Sequence, residues 1–256
     1  MNFKELFEGI DYHFVEGYAR DVSGMVITDV ITSPERDVAR ALYVATRSAL
    51  TDGAVGMRAA YDNGCRLFLC EWVPDLPRDA VVLLCTDTTR VLGTLASRVY
   101  GYPERTLTVA CVTGSAGKSS VAMMAAQLLL REGYRVAAIT TDGVWRGDAL
   151  TRADAIVADA AMLRRLLATL LREGFTHVIL ELSAYQLSKK IADGMDFTVT
   201  ALTNLLPNHL RFGEFGDEQD YKEAKSPPSP TKTVLPPVCI SMPTGSNVYA
   251  ACARSS

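Results

Sequence analysis

The stretch Thr113–Ser120, which reads TGSAGKSS, decides how this 256-residue chain is interpreted. An apolar run with the composition of a buried strand, Leu107–Val112, comes directly before it. An apolar helical pattern over Ser119–Arg131 follows it and closes at a glycine. A glycine-rich turn between a strand and a helix lets backbone amides and the positive end of the helix dipole converge on phosphate. The sequence therefore predicts a phosphate-binding loop, although the strict pattern would place a glycine at Val112.

The side chains of this loop suit a nucleotide. Lys118 supplies a mobile cation for the β- and γ-phosphates, and the Ser119 hydroxyl is a ligand for Mg²⁺. The alternative is a tight strand–helix turn that happens to contain Gly-Lys-Ser. We expect the phosphate contacts to come from seven consecutive residues, which are Gly114, Ser115, Ala116, Gly117, Lys118, Ser119 and Ser120.

Strand and helix patterns alternate on both sides of the loop. Strands are predicted over 25–28, 41–45, 66–71, 80–86, 107–112, 135–140, 176–182 and 197–205, and helices over 55–63, 88–100, 119–131, 159–172 and 184–192. This alternation is typical of an α/β fold with parallel sheets. A cluster of turn-forming residues, Gly101–Arg105, divides the pattern. We expect a small N-terminal α/β domain over 1–102 and a P-loop parallel-sheet domain over 103–225.

The last 31 residues differ in composition from the rest of the chain. Residues 226–256 hold six of the eleven prolines, and all 29 acidic residues precede them. This stretch is interpreted as a disordered tail or as an out-of-frame extension of a truncated gene. The mildly acidic body argues against binding to nucleic acid or anionic membranes. No apolar run of membrane-spanning length or signal-peptide core is present, and the cysteines lack metal-site spacing, so a cytoplasmic location with buried free thiols is expected.

Three more stretches carry polar residues that are candidates for a functional site. Glu181 ends an apolar strand, where it could hold Mg²⁺ or orient water. His209 in TNLLPNH (Thr203–His209) is a candidate metal ligand or proton relay, and Tyr221–Lys225 reads YKEAK. Taken singly, each has a plainer interpretation: a solvent-facing carboxylate, a loop histidine and a charged helix turn.

In their order and spacing, the four motifs resemble those of the Mur ligase family, the ATP-dependent amide-forming ligases of peptidoglycan synthesis. Family members carry a T-G-S/T-x-G-K-S/T-S/T loop, an E-L/V-S-S strand end, then T-N-x-x-x-D/N-H and Y-x-x-A-K. The corresponding stretches here are TGSAGKSS, ELSA, TNLLPNH and YKEAK, which span about Thr106–Lys225. The family loop also lacks the first P-loop glycine, so Val112 agrees with it.

Upstream and downstream stretches resemble one member of the family more specifically. Ala41–Ala45, Asp52–Gly53 and Ala59–Gly64 are similar to the N-terminal domain of the ligase that adds the third residue to UDP-N-acetylmuramoyl-dipeptide. Asp142–Gly143 and Leu150–Ala155 are similar to its T-x-D-G and L-T-T-P-D-A stretches. In contrast, LELSAYQL is nearer to the D-glutamate-adding ligase. Taken together, these stretches resemble the third-residue-adding ligase most.

The resemblance implies a metal-binding role for four residues. Ser119 and Glu181 would hold a first Mg²⁺, and His209 a second. Lys225 matches the lysine that these enzymes carbamoylate, which turns a cation into an anionic oxygen ligand suited to Mg²⁺. Together with Lys118, His209 and Lys225 would form the catalytic set.

The resemblance also implies the substrates and the reaction. Asn204 would join the nucleotide contacts, and Thr151 and Ser183 would face a UDP-muramoyl-peptide. ATP would phosphorylate a carboxylate of that substrate, and an amino acid would then attack the acyl phosphate to form an amide. The expected partners are ATP and this substrate, with no nucleic acid or membrane, and a monomer is expected.

The family pattern stops at Lys225, so the resemblance implies a P-loop domain that is incomplete at its C-terminus. Several positions also depart from the family pattern. The uridine-contact motif D-S-R falls on Ser33–Glu35, and the histidine of D-G-H is Ala54. The second threonine of T-T-P is Arg152, and the second serine of E-V-S-S is Ala184. Two alternatives therefore accompany the ligase interpretation: a truncated, catalytically inactive nucleotide-binding remnant, and a related ligase such as folylpolyglutamate synthetase.

Overall fold

A computed structural model describes residues 1–34, 38–46, 53–151, 157–204 and 238–239. The chain forms two compact units. The first consists of Met1–Tyr102 together with Asp159–Ala168, and the second of Pro103–Ala158 and Thr169–Ser256. The first unit is therefore not continuous in sequence, because it includes a ten-residue stretch from beyond the phosphate loop.

The first unit is built on a five-stranded sheet in the order β1-β5-β4-β3-β2. Its elements in chain order are α1 (Phe3–Leu6), β1 (His13–Phe14), β2 (Asp29–Ile31), β3 (Ala41–Val44), α2 (Gly53–Asp62), β4 (Leu67–Cys70), β5 (Val81–Leu84) and α3 (Thr88–Val99). Strands β2 to β5 run parallel, and β1 pairs antiparallel with β5. All residues of β3 and β4 are buried, which is typical of central parallel strands covered on both faces.

Two apolar clusters lie on the two faces of this sheet. Leu42 and Val44 belong to one cluster, and the intervening Tyr43 belongs to the other, as the two-residue period of a strand requires. The first cluster also contains Ala160 and Ala161, so the stretch Asp159–Ala168 contributes to the core of this unit.

The second unit is built on a seven-stranded sheet in the order β12-β11-β6-β10-β7-β8-β9. Its elements are α4 (Pro103–Thr106), β6 (Thr108–Thr113), α5 (Lys118–Arg131), β7 (Val136–Thr140), β8 (Gly143–Trp145), β9 (Leu150–Thr151), β10 (His177–Glu181), α7 (Ala184–Ser188), β11 (Val199–Leu202) and β12 (Val238–Cys239). Helix α6 (Ala160–Arg172) begins in the stretch counted with the first unit and ends in the second. Five strands run parallel, while β8 and β9 form an antiparallel hairpin at one edge.

The α/β class with parallel sheets predicted from sequence is confirmed, but several elements differ. The strand predicted over 25–28 is wrong: pairing with β3 begins only at Asp29, and Val26 makes an isolated bridge to Asn2. The helix predicted over 184–192 ends at Ser188, because Lys190 adopts a left-handed conformation with φ of 55°. The β8–β9 hairpin was not predicted, since its strands have only three and two residues.

The C-terminal stretch has one described element. Val238–Cys239 forms β12 and pairs in parallel with Ala201–Leu202 of β11. The sequence pattern predicted no strand there, but an open parallel edge offers unpaired backbone groups to any passing segment. The rest of 226–256 lies outside the described residues.

The predicted state of the cysteines is confirmed where the structure describes them. Cys65, Cys70, Cys85 and Cys111 are free and buried. Burial raises the pKa of the Cys65 thiol to about 11 and that of the Cys70 and Cys111 thiols to about 12. These thiols are therefore inert core residues at neutral pH. Within the described ranges, no helix has the length and apolar character needed to cross a bilayer.

Candidate functional site

The predicted phosphate loop lies at the carboxyl end of β6, directly before α5. Gly117 is the N-cap of α5 in a left-handed conformation with φ of 78°, and it has no side chain to cap the helix. The first four N–H groups of a helix have no intrahelical acceptor. The N-terminus of a 14-residue helix thus presents free amides and a partial positive charge at this edge of the sheet.

Glu181 lies beside the loop because β10 is the neighbour of β6. In this parallel pair Glu181 is in register with Val112, the residue before the last in β6. The Ser119 hydroxyl donates to Glu181 Oε2 over 2.8 Å, and Lys118 Nζ lies 3.9 Å from Glu181 Oε1. The backbone N–H of Thr141, just past β7, also donates to Oε2 over 3.3 Å.

The environment of Glu181 is unusual for a carboxylate. Its side chain is 2% exposed, and that of Lys118 is 17% exposed. A buried carboxylate is costly unless charges and hydrogen bonds compensate it, and here one cation and two donors do so. The plainer interpretation, a strand-end glutamate facing solvent, is wrong. The arrangement instead concentrates a cation, a hydroxyl and a carboxylate at the start of the loop helix.

A third strand end contributes Thr203 and Asn204. Strand β11 pairs with the other side of β6, with Leu202 in register with Thr113. The backbone N–H groups of Ser115 and Ala116 donate to Asn204 O and Asn204 Oδ1, each over 2.9 Å. The structure thus brings Asn204 to the loop, as the site prediction has it, but its side chain contacts the loop backbone.

Two residues of the site were given no role from the sequence. Thr203 donates its hydroxyl to Ala116 O over 2.7 Å, and Thr141 supplies the backbone donor to Glu181. Each directly follows the last residue of a strand, β7 for Thr141 and β11 for Thr203, at the same edge of the sheet. That position is a usable signal, because ligands of parallel sheets gather at the carboxyl ends of strands.

The remaining predicted site residues have other positions. Ser183 is the N-cap of α7, where its hydroxyl accepts from Gln186 N over 3.2 Å and the Gln186 side chain accepts from Ser183 N. Thr151 lies on β9, with three strands between β9 and β6 in the sheet order. His209 and Lys225 lie outside the described residues.

Known proteins match the segment that carries the loop, and some match most of the chain. Residues 112–227 match the Mur ligase middle domain. The UDP-N-acetylmuramoyl-L-alanyl-D-glutamate–2,6-diaminopimelate ligase of Alkalilimnicola ehrlichii is 40% identical over 140 residues, which are 55% of this chain and 28% of that protein. The enzyme of the same name from Phocaeicola vulgatus is 26% identical over 227 residues, covering 88% of this chain and 46% of that protein.

Solved structures share the fold. A structure of a UDP-N-acetylmuramoyl-L-alanyl-D-glutamate–2,6-diaminopimelate ligase superposes with a TM-score of 0.71 at 21% identity, covering 88% of this chain and 44% of that one. A crystal structure of MurF from Acinetobacter baumannii superposes with a TM-score of 0.58 at 18% identity, with 88% and 45% coverage. The chain spans less than half the length of these relatives. The segment 112–227, which carries the loop, the strand-end glutamate and the Thr-Asn pair, therefore belongs to the Mur ligase middle-domain family.

Proposed function

We propose that this chain binds Mg²⁺-ATP and serves the ATP-dependent formation of an amide bond in peptidoglycan precursor synthesis. The observation that carries the proposal is the convergence of Lys118 and Ser119 on the buried carboxylate of Glu181 at the start of α5. Lys118 would neutralise the β- and γ-phosphates, and the free amides of the helix start would hold their oxygens.

The residues at this site fit a magnesium ion. A serine hydroxyl and a buried carboxylate 2.8 Å apart are hard oxygen donors of the kind that Mg²⁺ prefers. Ser119 and Glu181 would hold this ion. When bound, Mg²⁺ supplies charge neutralisation for the transferring phosphoryl group.

The proposed reaction has two steps. A substrate carboxylate oxygen attacks the γ-phosphorus of ATP, the bond to ADP breaks, and an acyl phosphate forms. The amine nitrogen of an amino acid then attacks the acyl carbon, phosphate leaves, and the nitrogen loses a proton to give the amide. In the first step Lys118 stabilises charge that builds up on the phosphoryl oxygens, which is the main contribution a protein makes to phosphoryl transfer.

The names of the relatives support a UDP-N-acetylmuramoyl-L-alanyl-D-glutamate substrate and 2,6-diaminopimelate as the incoming amine. Thr151 and Ser183 remain predicted substrate contacts, and His209 and carbamoylated Lys225 remain predicted ligands of a second Mg²⁺. The missing Asp and Arg at Ser33–Glu35 make the uridine moiety the part of the substrate to test first. A cytoplasmic monomer stays part of the proposal.

Calorimetric titration with Mg²⁺-ATP tests the nucleotide site. Lys118→Ala should weaken binding at least tenfold, because it removes the cation that pairs with the phosphates. Lys189→Ala removes an exposed lysine of the same unit and should bind as the unaltered chain does. Equal affinities for Lys118→Ala and Lys189→Ala would contradict the assignment.

A turnover measurement distinguishes an active ligase from an inactive nucleotide-binding remnant. Phosphate release is measured with ATP, UDP-N-acetylmuramoyl-L-alanyl-D-glutamate and 2,6-diaminopimelate together, and with each acceptor omitted. Release that requires both acceptors supports the ligase. Nucleotide binding without any release supports the inactive remnant.

A further inference from the structure

We propose that Thr203 and Asn204 form a clamp that shapes the phosphate loop and acts on the nucleotide through the loop backbone, without touching the nucleotide. This inference rests on the proposed nucleotide-binding function and assigns positioning roles to both residues. Four hydrogen bonds make up the clamp. Ser115 N donates to Asn204 O, Ala116 N donates to Asn204 Oδ1, Asn204 Nδ2 donates to Ala116 O, and Thr203 Oγ1 donates to the same carbonyl.

The clamp continues the pairing of β11 with β6. Thr203, the residue after β11, donates its N–H to the carbonyl oxygen of Thr113, the last residue of β6, over 2.9 Å. Ala116 is then held on both sides, since Asn204 Oδ1 and Nδ2 lie 2.9 and 3.0 Å from its N–H and its carbonyl oxygen. An asparagine side chain carries both a carbonyl acceptor and an amide donor, so it can bond to the backbone N–H and the backbone carbonyl of one residue at once.

The close approach of β11 also explains the first glycine of the loop. A Cβ atom on Gly114 would lie 2.0 Å from Thr203 Oγ1 and 3.1 Å from both the backbone N and O of Asn204. Any side chain at Gly114 would therefore displace the clamp. This steric requirement and the hydrogen bonds point to the same pair of residues.

The clamp divides the amides of the loop into two groups. The N–H groups of Ser115 and Ala116 already bond to Asn204 and are satisfied within the protein. The N–H groups of Gly117 and of the first three residues of α5 have no intrahelical acceptor and remain to bind phosphate oxygens. Asn204 thereby bonds to the two amides that do not bind phosphate. By holding the loop in place, it also orients the amides that do bind phosphate.

Amide hydrogen exchange measured by NMR on the full, nucleotide-free chain tests the clamp. In the unaltered chain, the amides of Ser115 and Ala116 should exchange slowly for a surface loop. Asn204→Ala should raise the exchange rate of the Ala116 amide at least tenfold, because that amide loses its acceptor. Gln127→Ala, at an exposed position of α5, is the matched control and should leave the rate unchanged.

Nucleotide affinities separate positioning from direct contact. Asn204 Nδ2 has a second N–H, through which it could instead reach a γ-phosphate. If Asn204 acts through the loop, Asn204→Ala weakens Mg²⁺-ADP and Mg²⁺-ATP by the same factor, about tenfold for the lost hydrogen bonds. If it contacts the γ-phosphate, only ATP binding weakens. A loss confined to ATP, or unchanged exchange at Ala116, would overturn the proposal.

Thr203 provides a second test with a conservative rescue. Thr203→Val removes the hydroxyl and keeps the side-chain shape, so it should weaken both nucleotides by severalfold. Thr203→Ser restores the hydroxyl and should restore the affinity. Equal affinities for the valine and serine variants would contradict the clamp. Because the exchange measurement needs no nucleotide, it can fail independently of the proposed nucleotide binding.

Discussion

At the scale of single residues, the phosphate loop depends on positions that have no room for a side chain. Gly114 has φ of 139°, which L-residues rarely adopt, and an added Cβ would meet Thr203 and Asn204. Gly133, which follows α5, also has a positive φ of 87°, but nothing lies within 4 Å of an added Cβ. The two glycines therefore separate backbone strain from steric overlap.

Gly114→Ala should destabilise the chain by about 3 kcal/mol, the sum of backbone strain and overpacking. Gly133→Ala should cost only the backbone part, about 1 kcal/mol. Urea unfolding followed by tryptophan fluorescence measures both variants. If the two variants lose the same stability, the contact with β11 does not explain the first glycine of the loop.

The residues of the loop could be predicted from sequence, but their partners only in part. TGSAGKSS between an apolar strand and an apolar helix is a local pattern, and Glu181 could be added from its place at a strand end. The burial of Glu181 could not be predicted, because it depends on β10 lying next to β6.

At the scale of elements, Ser183 has a structural role at the start of α7 that the sequence analysis did not assign to it. Ser183 is predicted to face a substrate, yet its hydroxyl and the Gln186 side chain form a capping box at the start of α7. The Gln186 side chain also donates to Val157 O over 3.2 Å. The cap therefore holds the turn that follows Glu181.

Ser183→Ala should lower the free energy of unfolding by about 1 kcal/mol, because an N-cap acceptor is lost. Ser188→Ala, at the other end of the same short helix, is the comparison variant and should cost less, since its hydroxyl bonds only to the carbonyl of Tyr185. Thermal unfolding of the unaltered chain, Ser183→Ala and Ser188→Ala ranks the three proteins by stability. An unchanged Ser183→Ala protein would show that the capping box adds nothing to stability.

The central strands were easier to predict than the edges. β3, β4, β6, β7 and β10 are apolar runs buried on both faces, and each lies inside its predicted range or within one residue of it. The edge elements β1, β2, β8 and β9 have two or three residues each, too few to carry a periodic pattern. Their pairing is decided by which longer strand lies beside them.

At the scale of the whole molecule, the first unit needs residues from far along the chain. Arg165 Nη2 lies 2.9 and 3.0 Å from the two carboxylate oxygens of Asp29, and Arg165 Nε donates to the Tyr100 hydroxyl over 3.2 Å. Burial and the hydrogen bond with Asp29 raise the pKa of that hydroxyl to about 12. Ala160 and Ala161 pack in the same unit.

A fragment of residues 1–102 alone should therefore be less stable than the same unit within the full chain. Without Asp159–Ala168 its core cluster lacks two alanines, and Asp29 loses its ion pair. We expect the fragment to bind a hydrophobic dye and to melt at lower temperature. Arg165→Ala in the full chain, which keeps the alanines, should have a smaller effect, at most about 1 kcal/mol for a partly exposed pair. A fragment that melts like the full chain would contradict this account.

The sequence by itself determined the phosphate loop, the central parallel strands and the family to which they point. These features follow from local patterns, namely glycine spacing, strand period and helix period, that act over a few residues. Only the tertiary structure decided that β11 lies against β6, so that Asn204 holds the backbone of Ala116 from 88 residues away. Strand order and register decide such contacts, and no local pattern encodes them, because each side chain of the pair is compatible with many neighbours.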